Sequence, residues 1–248
     1  MEEKLVVPLF VLPNGIFPTS EEPLRVFEPR YKQMLDDCIL NELPFGYIAT
    51  KKPYTEIDGW SAPADFGVLA KIEDFMEQGS NLLFTAKGES RFKIKKIIPP
   101  ALPAKIFEDV FPSVEELVEA YIDTDPNGKL YLRAEIELID DLNGEIDEER
   151  WEDFIILWSR YIVKIDFVLK MSGLNEEDLL LILKKEFFPY NNSGLWSACL
   201  SILETYEEKQ NALSSNNIEQ IMKLLENSLE DKFYQNNDFE IIIGNEEE

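Results

Sequence analysis

Short apolar runs with strand-like spacing occupy the first 112 positions of the chain. The first, Leu5–Leu12, ends at the turn sequence Pro13-Asn14-Gly15. Later runs are Phe45–Ala49, Gly67–Ile72, Leu82–Ala86 and Arg91–Lys95. One helical stripe interrupts them, with apolar residues at Tyr31, Met34, Leu35, Cys38 and Ile39. Several short strands punctuated by prolines predict a compact, partly open barrel that contains one helix.

From about residue 147 the apolar residues recur with the period of an α-helix. One stripe consists of Trp151, Phe154, Ile155, Trp158, Ile162, Ile165 and Leu169, and Gly173 interrupts it. Asn175, with Asp178 three residues later, is typical of the start of the next helix. A further one-faced pattern runs over Ile218–Phe233. The later part of the chain is therefore predicted to be a helical bundle.

These patterns predict an α+β fold with a mainly-β pseudo-barrel followed by helices. We expect the β-rich domain at residues 1–112, the helical bundle at 147–236 and an acidic tail at 237–248. Residues 113–146 show neither period clearly, so we expect an insertion or linker of uncertain structure there.

The composition is that of a folded protein with a large excess of acidic residues. Apolar residues make up 45% of the 248 positions, and 49 acidic against 24 basic residues give a formal net charge of −25. Because phosphate binding draws on clustered lysine and arginine, this charge disfavours nucleic acids and anionic membranes as partners. It is compatible with basic protein partners, although solubility alone is the simpler explanation.

The absence of histidine excludes several classes of catalytic and metal site. Neither a Ser-His-Asp triad nor a histidine-containing zinc site can be built. Cys38 and Cys199 both lie in apolar helical patterns and are expected to be buried thiols in a reducing compartment. The N-terminus lacks the positive charge of a secretory signal, and no apolar run is long enough to span a bilayer. We expect a cytoplasmic protein with no cofactor and no bound metal.

Four segments of the N-terminal part carry a family resemblance. They are PLFVLPNGIFP, LRVFEPRYKQML, FGVLAKIEDF and GESRFKI. In order and spacing they resemble the N-terminal, substrate-recognition domain of the Lon protease family. The motif residues are Phe27, Glu28, Pro29, Arg30, Tyr31, Gly88, Arg91 and Phe92. The segment Tyr206–Gln210 resembles, more weakly, a Glu-Lys-Gln segment of the family's helical subdomain.

The resemblance implies a stand-alone recognition domain with a PUA-like barrel and a helical part. It also implies unfolded or tagged polypeptides, or a separate protease or chaperone, as partners. Lon proteins further contain an ATPase and a Ser-Lys protease, but Gly128-Lys129 is followed by Leu130, so no phosphate-binding loop is present. Ser90 and Lys93 would point to opposite faces of a strand. We expect no catalysis, and a carboxylate hydrolase is the enzymatic alternative.

The motif Glu28–Tyr31 has a structural explanation. Pro29 suits the first position of a helix, and Tyr31 opens the apolar stripe. A cation at Arg30, near a helix N-terminus, opposes the macrodipole by about 0.3–1 kcal/mol. We therefore expect an acidic or carbonyl partner for Arg30 and a structural role for the motif.

Three further groups are candidate sites. Tyr54, Trp60 and Phe66 lie in a loop-like stretch, where they either anchor a peptide or cover the mouth of the barrel. A basic cluster, Arg91, Lys93, Lys95 and Lys96, makes an RNA-binding module the alternative function, although a solvated strand face is the simpler interpretation. Asp123, Asp125 and Asn127 match positions of a calcium loop, but Ala134 replaces its bidentate glutamate, so a polar turn is preferred.

Overall fold

The chain divides into two compact units, Met1–Asp140 and Asp141–Glu248. The structure is a computed structural model that describes residues 5–107, 112–165 and 175–243. Unit 1 contains the strands β1 (Leu5–Leu12), β2 (Glu21–Val26), β3 (Phe45–Ala49), β4 (Glu56–Ile57), β5 (Trp60–Ser61), β6 (Phe66–Gln78), β7 (Asn81–Ile98) and β8 (Arg133–Leu138). It also contains the helices α1 (Pro29–Leu40) and α2 (Val114–Glu119). Unit 2 contains α3 (Glu148–Ile165), α4 (Glu176–Phe187), α5 (Asn192–Ile202), α6 (Tyr206–Ser214) and α7 (Ile218–Ile243).

Six strands of unit 1 form one sheet in the order β2-β7-β6-β3-β1-β8. β1 and β3 are parallel, and the other neighbours are antiparallel. Because β7 is 18 residues long, it pairs with β2 near its start and with β8 near its end. The additional pairing of β8 with β7 closes the five strands β7-β6-β3-β1-β8 into a barrel, and β2 extends the sheet from the start of β7. The predicted α+β fold with a barrel-like N-terminal part is confirmed.

Register shifts in the long strands allow this curvature. The β6–β7 pairing shifts between Val68 and Ala70 and again between Glu73 and Met76, and the β7–β8 pairing shifts between Ile94 and Lys96. Bulges of this kind bend a strand and increase its twist. Aromatic rings fill the interior, as where Phe10 meets Tyr31 edge to face with ring centroids 4.3 Å apart.

Residues 113–146 are not a separate insertion, because most of them belong to unit 1. Ser113 and Glu116 form a capping box at the start of α2. β8 pairs with both β1 and β7, and Ala134 and Ile136 turn inward along it. The inward-facing pattern is only two residues long and is surrounded by acidic residues, so a strand was hard to predict there. The units therefore separate at Asp140–Asp141 and not at residue 112.

Helix α1 holds the segment before β8 through polar side chains. The backbone N–H of Leu130 donates to Gln33 Oε1 at 2.7 Å, and Tyr131 donates its hydroxyl to Asp37 Oδ2 at 2.7 Å. Lys129 Nζ lies 2.8 Å from Asp37 Oδ2. These contacts tie the chain after α2 to one side of α1, and the buried side chains of Leu130, Tyr131 and Leu132 pack the same segment into unit 1.

Unit 2 is helical, as predicted, around an aromatic core. The ring of Trp151 stacks on Phe154 with centroids 5.4 Å apart, and its Nε1 donates to the carbonyl of Phe187 at 2.8 Å. Asn175 and Asp178 form the capping box that their spacing predicted. Arg150 joins α3 to α7 through Glu226, with Nε 3.0 Å from Oε1.

The Glu-Lys-Gln segment has a local structural role. Thr205 caps α6, and Glu208 reaches back to it, so the two form another capping box. Burial alone would raise the pKa of Glu208, but hydrogen bonds from the N–H and hydroxyl of Thr205 help to hold that pKa below its usual range. This arrangement fixes the start of the helix.

Helix α7 continues to Ile243, beyond the predicted end of the bundle at 236, so the expected acidic tail begins later than residue 237. The tail residues 244–248, the stripe residue Leu169 and the predicted break at Gly173 lie outside the described residues. None of the described helices combines the length and the apolar character needed to cross a membrane.

Candidate functional site

The N-terminal end of α1 supplies the expected partner of Arg30. Its Nε lies 2.7 Å from Glu28 Oε2. The guanidinium also lies between two aromatic rings, 4.1 Å from the centroid of Tyr31 and 4.3 Å from that of Trp60. Pro29 takes the first helical turn, as predicted. The guanidinium of Arg30 therefore has its charge partner and its ring contacts within unit 1.

Tyr31 and Phe27, at two positions of the same motif, differ in burial. Tyr31 is buried, and its hydroxyl donates to the carbonyl of Val11 at 2.9 Å. Burial raises the pKa of Tyr31 to about 12. Phe27, by contrast, is exposed. A packing role therefore accounts for Tyr31, whereas the structural role expected for Phe27 stays a prediction.

Trp60, Tyr54 and Phe66 do not form one exposed aromatic surface. Trp60 is only 8% exposed, and its Nε1 donates to the carbonyl of Leu102 at 3.1 Å. Phe66 is half-buried, with Lys93 Nζ 5.7 Å from its ring centroid. Tyr54 is 59% exposed. Of the three, Tyr54 has the exposure that a peptide anchor needs, and its role in binding stays a prediction.

The Gly88–Phe92 motif is packed tightly within unit 1. A Cβ at Gly88 would lie 2.5 Å from the carbonyl oxygen of Phe17, so only glycine permits this approach of the two backbones. Phe92 is fully buried, and a Cβ at Gly67 would lie 2.7 Å from its ring. These contacts support the structural role expected for Gly88 and Phe92.

Arg91 does not lie on the solvated cationic face that strand alternation predicted. It is buried and donates from Nη2 to the carbonyl of Asp140 at 2.6 Å. The shift in β6–β7 register just before this pair breaks the simple alternation, which explains the difference. Arg91 therefore joins the end of unit 1 to the barrel and is removed from the predicted basic cluster.

The remaining lysines of the cluster face acidic residues of β8. Lys95 Nζ lies 2.8 Å from Glu137 Oε2, and Lys96 pairs in register with Glu135. Cross-strand carboxylates of this kind reduce the positive potential that RNA binding requires.

The calcium-like segment forms backbone turns. The N–H of Asp125 donates to the carbonyl of Tyr121 at 2.8 Å, and that of Gly128 donates to the carbonyl of Asp125 at 2.9 Å. Asp123 and Asn127 belong to the same turn region. Among the residues that the structure describes, no group of three or more histidine, cysteine or acidic side chains could hold a metal ion.

An apolar groove lies between the end of α1 and the second half of β6. We call it the α1–β6 groove, and it is lined by Cys38, Ile39, Glu42, Leu43, Pro44, Lys71, Ile72 and Phe75. Its volume is about 490 Å³, within the range of ligand-binding clefts. Leu43 is 51% exposed, and Leu40 beside the groove is 82% exposed. An exposed apolar surface of this kind marks a candidate binding site.

The first wall of the groove follows from an unusual helix end. The N–H of Leu43 donates to the carbonyl of Cys38 at 2.9 Å, and that of Glu42 donates to the carbonyl of Ile39 at 3.4 Å. This is the Schellman pattern, which usually has glycine in the left-handed position. Here Glu42 occupies that position with a φ of 53°. A bulky acidic residue is therefore held in a conformation that glycine adopts more easily.

The second wall has a similar irregularity. Asp74 in β6 has a φ of 52° and lies within the register shift between Glu73 and Met76. This bulge leaves Phe75 and Met76 both exposed. Both walls thus combine a left-handed acidic residue with exposed apolar side chains, and such backbone strain is common at functional sites.

The electrostatics of this region are unbalanced towards negative charge. Asp36 is exposed on one side, yet its partial burial is the largest cause that raises its pKa above the ordinary value. The carboxylates of Asp37, Glu77 and Glu115 raise that pKa further. The ammonium of Lys32 acts in the opposite direction and is outweighed.

Sequence reasoning missed this groove because it assigned Ile39 to the buried stripe of α1. In the structure the stripe includes Tyr31, Met34, Leu35 and Cys38, whereas Ile39 is exposed. A signal was present in the sequence, since the adjacent pair Ile39-Leu40 and nearby Leu43 exceed what one helical face can bury. Nothing in the local pattern, however, located β6 beside them.

Comparisons with known proteins show what most of the chain is similar to. A model of the family described as the ATP-dependent protease La (LON) substrate-binding domain matches residues 6–230, which confirms the resemblance seen in the sequence. A Lon N-terminal domain protein from Xanthomonas campestris has a similar structure, with 19% identity and a TM-score of 0.54 over 89% of this chain and 97% of that one. The N-terminal domain of the Mycobacterium avium complex Lon protease is also similar in structure. It has 12% identity and a TM-score of 0.56 over 92% of this chain and 99% of that one. These two likenesses concern the fold. No curated protein matches the chain.

Proposed function

Because the chain belongs to the substrate-binding domain family of ATP-dependent protease La (LON), we propose that it recognises polypeptides through the α1–β6 groove. The observation that carries this proposal is the exposed apolar surface of Ile39, Leu43 and Phe75 along one cleft. Burying apolar side chains of an unfolded polypeptide there would remove this surface from water. The chain would act as a recognition module without catalysis of its own.

The proposed partners are unfolded or tagged polypeptides, which the module would retain for a separate protease or chaperone. Cys38 and Cys199 are both buried, and no disulfide joins them. Burial is the largest cause that raises the pKa of the Cys38 thiol to about 12, so the thiol stays protonated and unreactive. Such thiols support a reducing compartment, and we place the activity in the cytoplasm.

Truncating one apolar residue of the groove tests the site. The full chain is titrated against a fluorescently labelled, permanently unfolded model protein, and the Kd is measured by anisotropy. We expect Leu43→Ser to weaken binding about tenfold, since truncating a central apolar contact costs about 1–2 kcal/mol. Phe75→Ser should have a similar effect. ATP and calcium should leave the Kd unchanged.

Leu200→Ser in α5 is the matched control. Leu200 is 50% exposed and Leu43 is 51% exposed, so the same substitution removes a comparable apolar surface in the other unit. The control should bind like the unchanged chain, and circular dichroism should show that all variants are folded. Loss of binding in Leu200→Ser, with full binding in both groove variants, would place the binding surface outside the groove.

A further inference from the structure

We propose that the α1–β6 groove selects segments whose apolar residues are flanked by lysine or arginine, an inference that rests on the proposed function. The lining is mainly apolar, as at Ile39 and Phe75. Acidic side chains stand on both walls, at the end of α1 and along the second half of β6. A partner with apolar anchors and adjacent cations complements both features.

The α1 wall concentrates negative charge at the wrong end of a helix. The C-terminus of a helix carries the negative end of its macrodipole, where cations are favourable. The last turn of α1 has no basic residue. Instead, Glu42 follows the helix in the left-handed position, and Asp36 precedes Ile39 by three residues on the same helical face. Neither carboxylate helps α1 to form.

The β6 wall adds two more carboxylates at close range. Asp74 and Glu77 flank the exposed pair Phe75-Met76. Glu77 also acts electrostatically on Asp36, so these two carboxylates are near enough to repel each other. Glu42 lines the groove itself, and Asp74 adjoins the lining residue Phe75 in the chain.

Nearby lysines do not neutralise these carboxylates, and the effect of Lys32 on Asp36 is outweighed. Lys71 lines the groove but pairs with Glu89. Lys87 lies 3.4 Å from Glu21 and from Glu73, and Lys129 lies 2.8 Å from Asp37.

Within the described part of the chain, Asp36, Glu42, Asp74 and Glu77 have no ion-pair partner. Other acidic residues of unit 1, such as Glu28 and Glu137, do have one. A basic partner segment would supply the missing countercharge.

Three peptides that share one apolar core test the selection. The core is Leu-Val-Phe-Leu, flanked on both sides by lysines, by serines or by glutamates. We expect the lysine-flanked peptide to bind the full chain about tenfold more tightly than the serine-flanked one at low salt, because two or three exposed ion pairs contribute that much. The glutamate-flanked peptide should bind most weakly. The differences should shrink as salt screens the charges.

A pair of variants separates local charge from net charge. Glu42→Gln combined with Glu77→Gln should bring the lysine-flanked and serine-flanked peptides close to equal affinity. Glu145→Gln combined with Glu186→Gln removes as many carboxylates from exposed positions of unit 2 and should retain the preference. If both double variants lose the preference equally, the whole-chain charge is responsible and the inference is wrong.

The remaining outcomes distinguish this inference from the proposed function. Equal binding of all three peptides, weakened by Leu43→Ser, would overturn the charge selection and leave the groove as the binding site. Absence of binding by every peptide would overturn both. A dimer in sedimentation that Leu43→Ser dissociates would also overturn both, since a second copy of the chain would then cover the groove.

Discussion

The two ends of α1 both oppose the helix dipole, but they differ in how the charge is compensated. At the N-terminal end, Arg30 is a cation beside the positive pole, and Glu28 and two aromatic rings surround it. At the C-terminal end, Glu42 is an anion beside the negative pole, and no ion pair reaches it within the described residues. One misplaced charge is satisfied inside the fold, and the other faces an open apolar groove.

This difference gives a criterion for separating structural charges from those available for binding. A dense charged motif such as Glu28–Tyr31 suggests function in a sequence, but its partners are internal. The segment Ile39–Leu43 attracts less attention, yet Ile39, Leu40 and Leu43 are exposed, and no ion pair within the described residues reaches its acidic side chain. Natural sequences that depart from local preferences usually do so at functional or strained sites.

The largest expected effect is on the free energy of unfolding, at the N-terminal end of α1, where the charge of Arg30 is compensated. Trp60→Ala removes the buried ring that covers Arg30, and it should lower the free energy of unfolding by about 3–5 kcal/mol. The affinity of the folded protein for the serine-flanked peptide should not change, because Trp60 does not line the groove. Urea unfolding and anisotropy titration below the unfolding transition measure the two quantities.

Tyr54→Ala is the control for this substitution. Tyr54 is an exposed neighbour in the same region, so its removal should change the stability by less than about 0.5 kcal/mol. If either aromatic substitution weakens peptide binding in a folded protein, the predicted aromatic site is used, and the contrast between the two ends of α1 fails.

A smaller change in the free energy of unfolding, of opposite sign, is expected at the C-terminal end of α1, where the charge of Glu42 is not compensated. Glu42→Gly should raise the free energy of unfolding by about 1 kcal/mol, since glycine adopts the left-handed position without strain. It should also weaken binding of the lysine-flanked peptide and leave that of the serine-flanked peptide unchanged. Thermal unfolding and the same titrations test both expectations.

Asp58→Gly provides the comparison for Glu42→Gly. Asp58 also has a positive φ, of 52°, but it lies in the turn between β4 and β5 and does not line the groove. We expect a smaller gain in stability there, because aspartate tolerates this conformation better than glutamate, and no change in peptide preference. A loss of preference in Asp58→Gly alone would contradict the assignment of Glu42 to binding.

Much of the fold was predictable from local patterns. The helical stripe from Trp151 and the capping pair Asn175–Asp178 identified α3 and the start of α4, because helix signals extend over many residues or have a fixed spacing. β8 was missed, since its inward pattern is short and its pairing with β1 and β7 depends on residues far away in the chain.

The candidate site was less predictable for a related reason. The motif residue Arg30 could be expected to need a partner, because the dipole argument is local. Burial of Arg91 depends on a register shift, and the groove depends on α1 lying beside β6. Neither feature follows from spacing along one segment.

The smallest expected effect concerns the pH dependence of Asp36. Because its folded pKa is raised above the ordinary value of 3.8, the folded chain holds more protons at this site than the unfolded chain in the window between the two values. Stability from this group therefore falls as pH rises through that window.

Asp36→Asn should gain stability relative to the unchanged chain across the window and keep the gain at neutral pH, as urea unfolding at a series of pH values would show. A pH-independent difference would mean that neither burial nor the neighbouring carboxylates raise the pKa of Asp36 in the folded chain. Saturating lysine-flanked peptide should reduce the gain, because its cations would lower the pKa that Glu77 and Glu115 help to raise.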